Sequence, residues 1–124
     1  LRIYKTRWFS RWAKKEKLSD KALLKAVDEI KSDLSCVNLG GHVYKKRVAL
    51  SGRGKSGGAR TLVAYNQDDV IFFIYGFAKN ERENIQANEL KALQLLAEHL
   101  LDYTDLHIKL LILKEELVEI TNER

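Results

Sequence analysis

The run from Val70 to Phe77, VIFFIYGF, constrains the fold more than any other stretch. A strand with one face in water alternates apolar and polar side chains, whereas an unbroken apolar strand must be covered on both faces. The chain therefore has to place a layer on each side of this strand, and at least one layer is expected to be helical. With 124 residues and 45% apolar content, there is enough material for one core of this kind in one domain, residues 1–124.

The helical material flanks the run. Arg2 to Lys5 reads as a short strand, and Thr6 can cap a helix carrying Trp8, Phe9, Trp12 and Ala13 on one face. Ser19 and Asp20 open a second helix with Leu23, Val27, Ile30 and Leu34 spaced 4, 3 and 4, which makes a helical hairpin. Asn38 to Gly41 is turn chemistry. After the run, a helix opening at or just before Asn88 presents Leu90, Leu93, Ala97 and Leu100, and Thr104–Asp105 caps another to about Lys114. Leu117 to Ile120 is expected to form a short terminal strand.

Two further strands are expected before the run, Val43 to Leu50 and Ala59 to Asn66, with a glycine-rich loop between them and a hairpin turn at 66–69. Period-2 alternation puts Tyr44, Lys46, Val48 and Leu50 on one face, and Lys45 and Arg47 on the other. The fold class is thus α+β: an N-terminal strand and helical hairpin packed on a small antiparallel β-sheet, followed by C-terminal helices.

Charge is distributed unevenly. From Leu34 through Gln67 there is no Asp or Glu, while Lys45, Lys46, Arg47, Arg53, Lys55 and Arg60 fall in that interval. Beyond Asn80 the balance reverses, with ten acids against five bases. A solvated face ordinarily mixes both signs, so a stretch that excludes acids over three elements is expected to meet a polyanion, and nucleic acid suits it better than a membrane. The lone Cys36 points to a reducing, cytoplasmic setting. Neither an export signal nor a membrane span is expected, and scattered His42, His99 and His107 give no metal-ligand spacing, so no metal or other cofactor is expected.

Ala49 to Ser56 matches a relaxed phosphate-loop pattern. That chemistry requires a helix directly after Lys-Ser, and here Gly57-Gly58 leads into an expected strand, so the pattern argues against a nucleotide-hydrolysing site. A loop that grips a polymer's phosphates remains. Trp8, Phe9 and Trp12 fit a base-stacking platform, but their helical spacing favours the core. Tyr75 is either a core aromatic or a hydroxyl beside the basic loop. His42 reads as a turn residue, with a general acid or base as its rival. Lys79, just past the apolar run, stands where it can share a rim with Arg60.

The stretches KKRVALSGRGKSGGARTLVAY and FFIYGFAKNE carry a recognisable pattern: a basic strand, a G-[KR]-G-K-x-G-G-[AS]-R loop and a Y-G-x-x-K-N-E exit. In these the chain resembles the RelE/HigB-like toxins of bacterial toxin–antitoxin modules, over nearly its whole length. Residues 105–124 extend beyond the shorter relatives. The resemblance implies cleavage of messenger RNA in the ribosomal decoding site by 2′-hydroxyl attack without metal. Carried across by position, it implies Arg60, Lys79, Lys55 and Tyr75 as catalytic residues, Tyr75 matching only roughly. Lys45, Lys46, Arg47 and Arg53 would bind RNA. It also implies an antitoxin partner, often a helix-turn-helix repressor. Two rivals stay open: a gyrase-inhibiting toxin on the same fold, and an RNA- or ribosome-binding module without catalysis.

Overall fold

The computed structural model describes residues 1–32, 36–50, 58–66 and 70–121. Its elements run β1 (Arg2–Thr6), α1 (Arg7–Lys15), α2 (Asp20–Lys31), β2 (Cys36–Asn38), β3 (Val43–Val48), β4 (Ala59–Asn66), β5 (Val70–Ala78), α3 (Ala87–Asp102), α4 (Asp105–Leu113) and β6 (Leu117–Glu119). Helix starts follow the sequence chemistry. The hydroxyls of Thr6, Ser19 and Thr104 accept from the amides of Phe9 (3.2 Å), Ala22 (3.2 Å) and His107 (3.1 Å), each satisfying a donor that a first turn leaves open.

The strands form one six-stranded sheet in the order β2-β3-β4-β5-β1-β6. It is mixed, which corrects the expectation of an antiparallel sheet: β1 runs parallel to β5, while the other pairs are antiparallel. A parallel neighbour needs a long crossover, and the helical hairpin with β2 to β4 supplies it. The three-residue β2 was not foreseen. It forms a hairpin with β3 around Gly40, Gly41 and His42, all with positive φ (88°, 58° and 67°). The Asn38 side chain accepts from the Gly40 amide at 2.9 Å and sets the turn. The terminal strand expected at 117–120 is present as β6, and the Ile120 amide donates to Ile3 at 2.8 Å.

β5 is covered on both faces, as its composition requires. On one face α1 and α2 bring Phe9, Leu23, Val27 and Ile30 against Val63, Ile71 and Phe73. On the other, α3 and α4 bring Ala97, Leu100 and Ile108 against Leu62, Phe72 and Phe77. Each fully buried Phe, Leu or Ile stabilises the fold by about 1.5–3 kcal/mol, so the two layers hold β5 as the sheet's spine.

One irregularity decides which side chains reach which face. The β4–β5 register shifts between Leu62, opposite Tyr75, and Val63, opposite Phe73, leaving Ile74 as an additional residue in β5. A bulge of this kind inverts the alternation beyond it. Ile71 and Phe73 face the α1–α2 layer before it, whereas Tyr75 and Phe77 face the α3–α4 side after it. Gly76 then turns to α1, where a Cβ would stand 2.4 Å from the ring of Trp12. Only glycine fits there.

Candidate nucleic-acid interface

β3 and β4 bring the cations together. Arg47 pairs directly with Arg60, and Lys45 with Leu62, so strand alternation puts Lys45, Arg47 and Arg60 on the face shared by Val43, Leu62 and Ala64. With Val37 of β2 and Glu83 they line an open groove of roughly 490 Å³. Two like charges directly opposite each other repel, and burial adds to the strain. Desolvation first, and the Arg47 charge second, lower the Arg60 pKa from the ordinary guanidinium value. Its Nη1 is buried without a hydrogen-bond partner among the described residues. A desolvated guanidinium donor left open beside a second guanidinium favours one kind of occupant, an oxyanion that accepts from both.

Lys46 stands apart. It is 2% exposed on the face towards the helical hairpin, its ammonium 3.0 Å from Glu29, and its carbonyl accepts from the Thr61 hydroxyl at 3.1 Å. This corrects its grouping with the RNA-binding cations: the alternation that exposes Lys45 and Arg47 turns Lys46 inward, where a carboxylate of α2 neutralises it. Arg53 and Lys55 lie outside the described residues, as does the glycine-rich loop up to residue 57.

Lys79 is exposed in the turn after β5, two residues beyond Phe77, the strand partner of Arg60. Its amide donates to the Gly58 carbonyl at 2.9 Å, which ties the exit of β5 to the entry of β4 at the Arg60 end of the sheet. Tyr75 lies on the same face as Phe77, half-buried, with its ring stacked on that of Trp8 at 4.6 Å and 26°. His42 is an exposed turn residue at the far end of β3.

The structure adds residues that sequence reasoning missed. Arg82 lies over the Phe77 ring, 5.4 Å from its centroid. Its guanidinium donates to the Asn84 carbonyl from Nε (3.0 Å) and Nη2 (2.9 Å), and to both carboxylate oxygens of Glu89. Those bonds hold the Glu89 carboxyl below its usual 4.5 and raise the Arg82 pKa. Glu89 also accepts from the Gln86 amide at 2.8 Å, closing the first turn of α3. Arg82 is thus a clamp between the β5 exit and α3, with its donors already used. Seven residues separate the partners across a helix start, so no helical spacing announces the pair.

The sequence that builds these elements has a counterpart among known families. Residues 1–120 match the model described as the RelE toxin of the RelE / RelB toxin-antitoxin system. The chain belongs to the RelE toxin family. As a RelE-family member it is a toxin of a toxin–antitoxin module, and the family implies a cognate antitoxin as its partner. The match to RelE takes in α4 and β6, so it covers most of the segment beyond residue 105. No curated protein matches the chain. Among the described residues, no helix is long and apolar enough to cross a membrane.

Proposed function

We propose that this RelE-family toxin is a ribosome-dependent messenger-RNA endonuclease. The observation that carries the reading is Arg60: a half-buried guanidinium with an open Nη1, facing Arg47 across the sheet in an open groove. In the proposed reaction the substrate brings its own nucleophile. A base takes the proton of a ribose 2′-hydroxyl, the oxygen attacks the adjacent phosphorus, and the bond to the 5′-oxygen breaks as that oxygen gains a proton. The products are a 2′,3′-cyclic phosphate and a 5′-hydroxyl.

The step needs neutralisation of the charge that builds on the phosphorane oxygens, and Arg60 supplies it most directly. Arg47, Lys45 and Arg53 hold flanking phosphates. Lys79 and Lys55 share proton transfer and charge stabilisation, roles that an ammonium group can serve as donor and as cation. Tyr75 lines the same face. The ribosome's part is alignment of the scissile nucleotide, which lowers the barrier without adding a chemical group.

Primer extension on a messenger RNA in programmed ribosomes, with the same RNA naked in parallel, tests the proposal. Cuts confined to the decoding site and dependent on ribosomes are expected. Cuts on naked RNA would remove the ribosome from the mechanism. The absence of cuts in both would favour the gyrase-inhibiting or purely binding alternatives.

A further inference from the structure

The second groove beside β5 has an unusual floor. β1 ends at Thr6 while β5 runs on to Ala78, so the β5 edge beyond Ile74 has no strand neighbour on that side among the described residues. α1 fills the gap with aromatic rings. Phe9 is fully buried and Trp12 lies on Gly76, but Trp8 stays 47% exposed while stacked on Tyr75. Trp8 and Tyr75, with Ile74, Leu96 and Glu116, wall an open groove of roughly 490 Å³.

We propose that this groove holds a nucleobase of the RNA strand whose backbone lies on Arg47 and Arg60. The inference rests on the RNA-cleaving reading and adds a base subsite to it. Three features select this occupant. The groove is walled by flat rings and aliphatic side chains, the surface on which any base stacks. Its ionic groups disfavour phosphate: the Arg7 guanidinium is already used by the carbonyls of Glu115 and Lys114 (3.1 and 2.9 Å), leaving the exposed Glu116 carboxylate, which can accept from a base N–H. It is also in register with the cationic groove. Tyr75 and Phe77 are two strand positions apart on one face, about 7 Å, and Phe77 is the strand partner of Arg60. That separation is comparable with one nucleotide of an extended strand. Arg82 spans the interval, lying over Phe77 and interacting with the Tyr75 side chain.

The test uses a short 2′-O-methyl oligoribonucleotide, which binds without supplying the nucleophile. Binding is followed by anisotropy of a label on the RNA, and stacking by tryptophan emission. Wild-type protein is expected to show saturable quenching with the same midpoint as the anisotropy change. Trp8→Leu, with its fold checked by circular dichroism, is expected to lose the quenching and bind about 5- to 150-fold more weakly. An independent arm needs no variant: abasic substitution along the oligonucleotide should weaken wild-type binding at one position above all, and should cost nothing further at that position in Trp8→Leu. Anisotropy change without quenching, or an abasic penalty that is the same in both proteins, overturns the subsite and leaves RNA binding standing. No anisotropy change with wild-type protein overturns the subsite, while the ribosome-dependent reading stands or falls by primer extension on programmed ribosomes.

Discussion

Arg47 and Arg60 sit directly opposite each other on neighbouring antiparallel strands, and the buried Nη1 of Arg60 has no acceptor among the described residues. An arrangement that raises the free energy of the empty protein is tolerated where an anionic ligand relieves it. Removing an unsatisfied buried donor recovers its desolvation cost of about 1–3 kcal/mol, and removing one of two like charges recovers their repulsion. Arg60→Met is therefore expected to abolish cleavage while leaving the protein as stable as wild type or more so, by thermal melting beside a growth-arrest assay. A folded Arg60→Met that still arrests growth would remove Arg60 from the mechanism.

Lys45, Lys46 and Arg47 are consecutive, yet only the outer two should act on RNA. Replacing Lys45 or Arg47 by Met is expected to weaken RNA binding and lower the salt slope by about one unit each. Lys46→Met keeps the aliphatic stem and should leave the slope unchanged. Glu29→Ala should cost about 1–3 kcal/mol in urea unfolding, because it strips a buried ammonium of its partner, with solvent at the half-open Glu29 side softening the loss. Equal salt slopes for all three Met variants would refute the separation of faces.

The Arg82–Glu89 clamp makes stability depend on pH in a defined direction. The folded Glu89 carboxyl titrates below its ordinary value of 4.5, so the unfolded chain binds its proton first as the pH falls. The contribution is thus fully present above about 4.5 and is lost as the pH drops through the lower folded value. Urea melts should show Glu89→Gln less stable than wild type at pH 7, with the gap closing in acid. A gap that persists at pH 2 would assign the loss to packing instead.

Gly76→Ala should destabilise the fold by about 1–3 kcal/mol, since the added methyl meets three Trp12 ring carbons between 2.4 and 2.8 Å. Trp12→Leu is expected to remove most of that penalty in the double variant, giving a coupling energy readable from a double-mutant cycle. Strict additivity would show that the strain lies elsewhere.

Much of this was legible in the residues. The uncharged run in β5 demanded two covering layers, and both are present; the hydroxyl caps and 3–4 spacings placed all four helices. What escaped notice has physical reasons. Three residues of β2 are too few for a period, and no local signal encodes that β1 pairs in parallel with a strand about seventy positions later. The Ile74 bulge leaves no trace in a stretch that is apolar throughout. For Lys46 the alternation did contain the answer, since it grouped Lys46 with Tyr44 and Val48, but proximity in the chain to two outward cations obscured it. Of the proposed site, the Lys45, Arg47 and Arg60 cluster could be anticipated from charge, whereas Arg82 and the Trp8–Tyr75 stack depend on how the chain closes.

The position of β1 has a consequence for how the molecule comes into being. Of the six strands it is the earliest in the chain, yet it is flanked by the two latest, β5 and β6. Its hydrogen-bonding groups find neither neighbour until most of the polypeptide has been synthesised, so loop closure over long separations governs the rate of assembly. A nascent chain interrupted before residue 117 lacks the outer neighbour of β1 and the buried Leu117 and Ile120. Truncated translation products would then be poorly folded, so toxicity would wait for the strand that closes the sheet beside β1.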